Sequence, residues 1–519
     1  MGSQAIPGAV AATDGFGRTP LLLIWGAMAL GAIGLALIAP VNHDESQYLA
    51  AAVFNRSRLP FVDYLYLQTP LQPFLAAPIA ALTVGYNFIA LRIATAVVAM
   101  AALWLVFRCQ RLLGVEQRPA LAFTMLLALT YSFQFGATVV RNDILPALLL
   151  GLGQYLALSA MTGGRRGLLW VAAGLAFGAA AAAKISYAVP ALAVGVFHGL
   201  MMLRHRNRDA FADASACAGG AFIGLLAIAI PYLLAPAAFL YGVLEYGAQA
   251  PFHWYSLNGA GYRLGLDWKL IDTADALFRG PAWLALAVVS VAAVKRGKRS
   301  DAHLLLDLLI VAGLVAALLP TPTWKQYLIP LLPPLFVRLG LAWRDGVAAG
   351  LRWRRILIGA FILTGLVGLA EPVRWASRAM KNKANPITAT QEAHWIGERL
   401  RLAGVKGEVA SLSPLVVIDS GFTLGHRFAT GPFVYRSGDL LTDEQQRAFH
   451  VVSPRTLDRF LAGRLPAAIV TGYEGRHKSE RIDLDSGLRA FALRNGYRME
   501  RSPFGSAELF VRPHPPIHR

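Results

Sequence analysis

The sequence predicts an α-helical polytopic membrane protein with about 11 transmembrane helices, followed by a C-terminal soluble α/β domain. Two observations support this fold class. Hydrophobic residues make up 56% of the chain and charged residues only 15%, whereas soluble domains carry about 25% charged residues. Apolar runs separated by short charged segments fill the chain between residues 21 and 370, and about 20 apolar residues suffice to cross a bilayer. The composition then becomes ordinary, which divides the chain into 21–370 and 371–519.

Eleven apolar runs are interpreted as membrane spans. The first follows a segment whose only basic residue is Arg18, and further spans come after it, so we interpret it as an uncleaved helix rather than a signal peptide. The predicted spans are 21–39, 87–107, 119–139, 144–161, 168–182, 185–203, 214–234, 276–294, 303–319, 326–342 and 355–370.

One further apolar run, 70–85, is predicted to lie at the membrane surface within a juxtamembrane region at 40–86. It contains Pro70, Pro73 and Pro78, which suit a helix lying in the interface. If this run crossed the membrane, every later loop would change sides and the charge asymmetry described next would be lost.

Basic residues cluster in alternate loops. Five such loops carry sixteen Lys and Arg residues, at 108–118, 165–166, 204–208, 295–299 and 344–355. Loops of this kind face the cytoplasm, so we expect a cytoplasmic N-terminal tail (1–20) and, after an odd number of spans, a periplasmic domain at 371–519 of a bacterial inner membrane protein. Topology thus accounts for the net charge of +19, and the bilayer rather than nucleic acid is the predicted partner.

The C-terminal domain is predicted to alternate strands and helices. Strands are expected at 408–413, 467–473 and 508–513, and helices at 388–403 and 442–462. The segment 426–438 is dense in aromatic and Arg residues, and two interpretations stay open for it: a packed core strand with a surface turn, or a surface that contacts an acceptor.

Two adjacent carboxylates, Asp44 and Glu45, directly follow the first span and precede a predicted helix at 46–54. Acidic residues at a helix N-terminus stabilise it, which is one explanation for them. A pair of carboxylates next to Asn42 and His43 exceeds what capping requires, so a chemical role is the competing explanation.

Three cations lie at the ends of spans on the same predicted side of the membrane. Arg141 shares a short turn with Asp143, Lys184 lies between two apolar runs, and Lys325 precedes the tenth span. Ionisable residues at membrane depth are costly and therefore point to function, although each one alone can extend to the interface. The loop at 235–275, rich in Tyr and Trp, is predicted either to cover an external site or to anchor at the interface.

Cations can hold a phosphate, and a carboxylate can take a proton from an attacking hydroxyl. This combination favours phosphate-linked lipid chemistry on the outer face. The alternative, transport of a lipid-linked sugar, predicts acids buried within spans and internal repeats, and the sequence contains neither. The outer loops contain no His/Cys/Asp spacing typical of a metal site, so no cofactor is required and a divalent metal stays open.

The same residues resemble GT-C glycosyltransferases that use polyprenyl-phosphate sugars, in particular the protein O-mannosyltransferase and lipid A aminoarabinose transferase groups. The resemblance begins with HDESQYLA, which places Asp44, Glu45 and Tyr48, and continues with QTPLQPF before the run at 70–85. Later matches are Asp143 in a short turn, Lys184 in an Ala-Lys turn, and the Lys-x-Tyr-x-x-Pro pattern of Lys325, Tyr327, Pro330 and Pro333.

The resemblance implies transfer of a sugar from a polyprenyl-phosphate donor to a periplasmic acceptor hydroxyl, with inversion at the anomeric carbon. Asp44 is then the catalytic base, and Glu45 orients the acceptor or shares the carboxylate site. The implied donor-phosphate ligands are Arg141, Lys184 and Lys325, and the implied substrate-binding residues are Tyr48, Gln68, Asp143 and Tyr327.

This chain departs from the aminoarabinose transferases at two positions. Gln47 and Thr69 stand where those proteins carry basic residues. Arg56 and Arg58, in the same loop, are the predicted substitutes for phosphate binding. The donor sugar and the acceptor, whether lipid A, a polysaccharide or a protein, stay open.

Overall fold

The computed structural model describes residues 16–162, 166–294, 300–346, 351–381, 385–475 and 482–512. Helices form most of the chain before residue 402, and all five strands come after it. The α-helices are Arg18–Ile38, Glu45–Phe54, Leu71–Leu82, Asn87–Leu112, Gln117–Ala128, Tyr131–Thr138, Ile144–Thr162, Arg166–Ala183, Ala188–His205, Arg208–Leu234, Pro236–Leu240, Tyr246–Leu257, Leu266–Phe278, Ala282–Val294, Asp301–Leu318, Leu332–Arg344, Leu351–Gly368, Ala370–Met380, Pro386–Leu402, Pro414–Ile418, Pro432–Tyr435, Asp443–Ala448, Leu457–Ala462 and Ser486–Arg494.

The chain is a multi-pass membrane protein, as predicted. Within the ranges that the structure describes, eight helices are long and apolar enough to cross a bilayer. The number rises to ten if two bent pairs each count as one span: Gln117–Ala128 with Tyr131–Thr138, bent by 71°, and Leu266–Phe278 with Ala282–Val294, bent by 95°. The first pair covers the predicted span 119–139 except residue 139, and the second covers the whole of 276–294. The predicted basic loop at 295–299, Arg165 and most of the N-terminal tail (1–15) lie outside the described residues.

The tenth predicted span, 326–342, takes a different form. It begins with a seven-residue 3₁₀ helix, Lys325–Leu331, and continues as the 13-residue helix Leu332–Arg344. Pro330 and Pro333 interrupt backbone hydrogen bonding at this transition. The helix is buried along nearly its whole length, so it forms an interior element that carries Lys325 at its start. The apolar run at 70–85 forms the separate short helix Leu71–Leu82.

Glycines allow two of the long helices to pack with their backbones in contact. A Cβ atom on Gly174 or Gly178 would clash with the backbone of Cys217 or Ala221 on the facing helix, and one on Gly220 would clash with the backbone of Val171. Small residues spaced four apart permit this close approach between membrane helices. The contact fixes the C-terminal end of the Arg166–Ala183 helix, which Lys184 follows.

The C-terminal domain contains one mixed sheet in the order β2-β1-β3-β5-β4. Its strands are β1 (Glu408–Ser411), β2 (Thr423–Leu424), β3 (Ala468–Thr471), β4 (Arg498–Arg501) and β5 (Glu508–Val511). β1 runs parallel to β2 and β3, and β5 pairs antiparallel with β3 and β4. The three predicted strands are thus present, whereas β2 and β4 were not predicted.

Two expectations for this domain need correction. The predicted helix at 442–462 consists of two short helices, Asp443–Ala448 and Leu457–Ala462. The segment 426–438 is not a strand, because it forms a 3₁₀ turn at His426–Phe428 and the short helix Pro432–Tyr435. Gly431, with φ of +58°, permits the turn between them.

Asp419 joins the C-terminal domain to the helical region. Its carboxylate accepts hydrogen bonds from the backbone N–H of Asn87 at 2.7 Å and of Phe88 at 3.0 Å. These N–H groups begin the Asn87–Leu112 helix and have no partner within it, so the carboxylate satisfies donors that the helix leaves free. The predicted boundary at 370/371 stays a prediction.

Candidate active site

Four segments that connect consecutive helices open onto one cavity of about 880 Å³. They are the segment 42–44 after the first span, the turn 139–143, the turn at Lys184, and the segment 320–327. Backbone geometry explains why the helices are interrupted at two of these segments. Val139 is extended and ends the Tyr131–Thr138 helix, and Lys184 is extended and interrupts two consecutive helices. Polar side chains at helix ends therefore converge on one space.

Asp44 lines this cavity, and about a fifth of its side chain is exposed (21%). One carboxylate oxygen forms an ion pair with the guanidinium of Arg141. The other lies 3.0 Å from Nε2 of His43. Asp44 therefore presents an oriented and partly exposed carboxylate to the cavity.

Glu45 has a different environment, because its side chain is completely buried. Its oxygens lie 2.8 and 2.5 Å from Nε and Nη2 of Arg92. They also accept hydrogen bonds from the backbone N–H of Asn42 at 2.9 Å and of Val140 at 2.7 Å. Glu45 does not line the cavity. The two adjacent acids thus occupy distinct sites, one facing the cavity and one inside the protein.

A chain of opposite charges connects three of the predicted residues. Nε of Arg141 lies 2.9 Å from Asp143, and the ammonium of Lys184 pairs with the other oxygen of the same carboxylate. All three side chains are nearly inaccessible. Since Asp44 also contacts Arg141, two cations and two carboxylates alternate in this chain of charges, and Asp44, Arg141 and Lys184 line the cavity.

Lys325 stands apart from this chain. Its ammonium donates a hydrogen bond to the hydroxyl of Tyr131 at 2.9 Å and lies 4.3 Å from the ring centre of Phe135. The ion pairs formed between described residues include none with Lys325, although it lines the cavity. An ammonium without a carboxylate partner is available to an anionic ligand.

The predicted substrate-binding residues lie beside these charges. Tyr48 donates to Asn142 at 2.9 Å, and Asn142 donates to Gln68 at 3.1 Å. The ring of Tyr327 lies 5.2 Å from the ammonium of Lys184. Tyr48, Gln68 and Tyr327 all line the cavity, whereas Asp143 reaches it only through Arg141 and Lys184.

Arg56 and Arg58 are not brought to this cavity, contrary to what a substitute phosphate ligand would require. Neither lines it. Arg58 lies over the ring of Phe54 at 5.0 Å and 4.0 Å from Glu408 of β1. The first loop therefore directs Arg58 toward the C-terminal domain.

The cavity's remaining wall comes from the loop region 235–275 and the C-terminal domain. Arg436 lies 4.9 Å over the ring of Trp254 and 5.0 Å over that of Phe433. All three residues line the cavity, with Tyr246 and Tyr255. Within the segment 426–438, Phe433 and Arg436 line the cavity, while Val434 and Tyr435 are buried; contact of this segment with an acceptor stays a prediction.

Glu474 follows β3 behind this wall. Burial raises its pKa to about 7, and Asp485 adds to the effect while His43 and Arg436 oppose it. Its carboxylate accepts a hydrogen bond from Ser413 at 3.3 Å. Glu474 therefore changes charge near neutral pH close to residues that line the cavity.

Several of these residues were not predicted. Arg92 had a signal, since it is a cation inside an apolar run and such residues are functional candidates. His43 and Arg436 lie next to or within segments that the sequence singled out, but only the fold brings them together. Among the described residues, no group of three or more His, Cys, Asp or Glu is arranged to hold a metal.

Two solved structures have a similar fold over nearly their whole length. ArnT from Cupriavidus metallidurans bound to undecaprenyl phosphate matches with a TM-score of 0.55 and 14% identity, over 95% of this chain and 98% of that chain. The apo state of the same protein matches with a TM-score of 0.54 and 15% identity, with equal coverage. No protein-family profile matches the sequence, and no curated protein does. The chain therefore shares the overall fold of these two structures, and the predicted architecture of membrane helices followed by a C-terminal α/β domain is confirmed.

Proposed function

We propose that this protein is a glycosyltransferase that moves a sugar from a polyprenyl-phosphate donor to an acceptor hydroxyl. One observation carries the proposal: the partly exposed carboxylate of Asp44 lines the same cavity as the ammonium of Lys325, which forms no ion pair with any described residue. Its volume of about 880 Å³ is in the range of ligand sites, roughly 300–1,000 Å³. A similar fold that binds undecaprenyl phosphate supports this donor class.

In the proposed step, the acceptor oxygen attacks the anomeric carbon and the acceptor proton moves to Asp44. The bond between the anomeric carbon and the phosphate oxygen breaks, and its electron pair leaves with the lipid phosphate. Attack and departure on opposite faces invert the configuration. Arg141 and His43 hold the Asp44 carboxylate in place, which reduces the reorganisation needed as the proton moves.

Lys325 is the proposed ligand of the departing phosphate. The transition state places new negative charge on the phosphate, so a fixed cation stabilises it more than the ground state. Arg141 and Lys184 are already neutralised by Asp44 and Asp143. They contribute to the field of the wall, while Lys325 contributes the cation that needs a partner.

Glu45 is proposed to position the site rather than to react. It ties together the segment at Asn42, the backbone at Val140 and the helix that carries Arg92. Asp44 precedes Glu45 in the sequence, and Arg141 follows Val140. The Glu45–Arg92 ion pair thus sets the distance between the proposed base, Asp44, and its guanidinium partner, Arg141.

The proposed setting is a bacterial inner membrane, with the cavity and residues 371–519 on the periplasmic side. The distribution of basic loops supports this orientation. The acceptor would enter beside Arg436, Trp254 and Phe433, because they form the wall contributed by the loop region and the C-terminal domain.

The experiment uses the purified full-length protein in phosphatidylcholine nanodiscs with undecaprenyl-phosphate sugars. Lipid A, a polysaccharide fraction and peptides serve as separate acceptor probes. Release of undecaprenyl phosphate that depends on one acceptor, with inverted configuration in the product, supports the proposal. Movement of the lipid-linked sugar between leaflets without transfer would contradict it in favour of a transporter.

A further inference from the structure

A second cavity lies in the C-terminal domain, at the opposite edge of the sheet from the proposed active site. It has a volume of about 580 Å³ and lies at the amino ends of β1 and β3, where Glu408 and Ala467 line it. The active-site wall lies beyond the carboxyl ends of the same strands, where Ser413 and Glu474 contact each other. A four-residue strand spans roughly 13 Å, so the two cavities are separate sites.

Positive charge dominates the lining of this second cavity. Four cations line it: Lys406, Arg427, Arg464 and Arg512. Glu408 is the single acid among its described lining residues, and it already has Arg58 at 4.0 Å. None of the four cations forms an ion pair with a carboxylate among the described residues. Such a concentration of one charge in a concave surface attracts anions.

Arg427 is fixed in position without being neutralised. Its Nη1 donates to the backbone carbonyl of Val451 at 3.1 Å and approaches that of Gln446 at 3.5 Å. Its guanidinium lies 4.5 Å over the ring of Phe460. Neutral partners orient this group but leave its charge uncompensated, and a preorganised guanidinium loses little side-chain freedom when it binds a phosphate.

His426 adds an imidazole ring to the lining of this cavity. Burial lowers its pKa to about 4, with smaller effects from His450 and Arg427. The rings of His426 and His450 lie 5.4 Å apart. The neutral ring can donate one hydrogen bond to an anion, and an anion beside it would favour its protonation.

The cavity also has an apolar part, formed by Phe428, Phe460, Leu461 and Leu465. An inorganic anion would leave this surface uncovered. The combination of a cationic rim and an apolar floor fits a ligand that carries a phosphate on a carbon skeleton.

We propose that this cavity binds a phosphate monoester, with Arg427 and Arg464 as ligands of the phosphate and the apolar floor against its organic part. The site is independent of the chemistry proposed for Asp44. It would hold a phosphorylated part of a large acceptor or a phosphorylated effector at a distance from the reacting atoms.

The test is calorimetric titration of the full-length protein in phosphatidylcholine nanodiscs. Glucose 1-phosphate probes a soluble phosphate monoester, dihexanoyl phosphatidic acid probes a lipid one, and glucose controls for the sugar. Arg464→Gln is the main variant, because its side chain is exposed and its loss does not disturb the interior. Arg427→Gln is the second, and Arg494→Gln removes an equal charge elsewhere in the domain as the control.

We expect saturable binding of at least one phosphate probe and none of glucose. Each of Arg464→Gln and Arg427→Gln should raise its dissociation constant by about tenfold or more, while Arg494→Gln leaves it unchanged. Binding of the lipid probe alone would identify a lipid headgroup as the source of the phosphate. Absence of binding by both probes, or an equal loss in Arg494→Gln, would overturn the proposal, and binding that survives Arg464→Gln and Arg427→Gln would place the phosphate elsewhere.

Discussion

Arg92 and Glu45 form a bidentate ion pair inside the protein, with Nη2 and Nε of the guanidinium 2.5 and 2.8 Å from the two carboxylate oxygens and both side chains fully buried. The remaining donors of Arg92 bond to the carbonyls of Ala36, Ala39 and Pro40. Removing one charge from such a pair leaves the other buried and unpaired, which costs about 3–5 kcal/mol.

The Glu45→Gln variant should therefore destabilise the protein as a whole. We expect a lower melting temperature in detergent and a lower yield of monodisperse protein, with Arg92→Met showing the same defect. A double variant that is no worse than either single variant would confirm that the two residues act as a pair. If Glu45→Gln keeps its melting temperature and loses only turnover, Glu45 has the catalytic role that the resemblance implies.

Lys325→Met should weaken binding of undecaprenyl phosphate by about 10- to 100-fold, because one charge-assisted hydrogen bond contributes about 1.5–3 kcal/mol. Isothermal titration with the lipid in nanodiscs measures this change. Lys381→Met removes an equal charge from an exposed helix end and serves as the control. Unchanged lipid affinity in Lys325→Met would remove Lys325 from the phosphate site.

Gly178→Leu should prevent the Arg166–Ala183 and Arg208–Leu234 helices from packing, because the added side chain would meet the backbone of Ala221. We expect a loss of folded protein in detergent, seen by size-exclusion chromatography. Gly195→Leu, on a neighbouring helix where no atom lies within 4 Å of the added Cβ, should fold normally. A yield of folded Gly178→Leu equal to that of the wild type would show that the close contact is not required.

Glu474 should make stability depend on pH. Its pKa is about 7 in the folded protein and 4.5 in the ordinary carboxyl, so the unfolded state holds fewer protons between these values. Stability should then fall as pH rises from about 4.5 to about 7, by up to about 3 kcal/mol, and change no further above that range. Melting temperatures at pH 5 and pH 8 measure the fall.

The matched variant for this pH effect is Glu474→Gln, which cannot ionise. The difference between its melting temperatures at pH 5 and pH 8 should be smaller than that of the wild type. An identical difference in both proteins would show that Glu474 is ionised throughout this range.

The order of helices and the convergence of Asp44, Arg141, Lys184 and Lys325 could be predicted because apolar runs and charges at their ends are local features of the sequence. The sequence could not predict that Asp44 lines the cavity while Glu45 is buried in the interior. Adjacent residues at a helix start point in different directions, and only the position of Arg92 determines which of them is buried.

In the C-terminal domain, two strands and a cavity could not be predicted from the sequence. β2 has two residues and β4 is largely exposed, so neither carries a clear apolar pattern. Arg58 and Glu408 are far apart in sequence but lie 4.0 Å from each other, and Glu408 lines a cavity that no local pattern indicates. Cavities formed between distant segments depend on packing, which single-sequence periodicity does not encode.

The most direct test of the account is sugar transfer by Asp44→Asn, measured as release of undecaprenyl phosphate from an undecaprenyl-phosphate sugar in the presence of acceptor. Asp439→Asn, which changes a largely exposed carboxylate (65%) in the C-terminal domain, is the control. We predict that Asp44→Asn retains its fold and lipid binding but loses about 10²-fold or more in turnover, while Asp439→Asn matches the wild type. Turnover by Asp44→Asn equal to that of the wild type would contradict the assignment of Asp44 as the base.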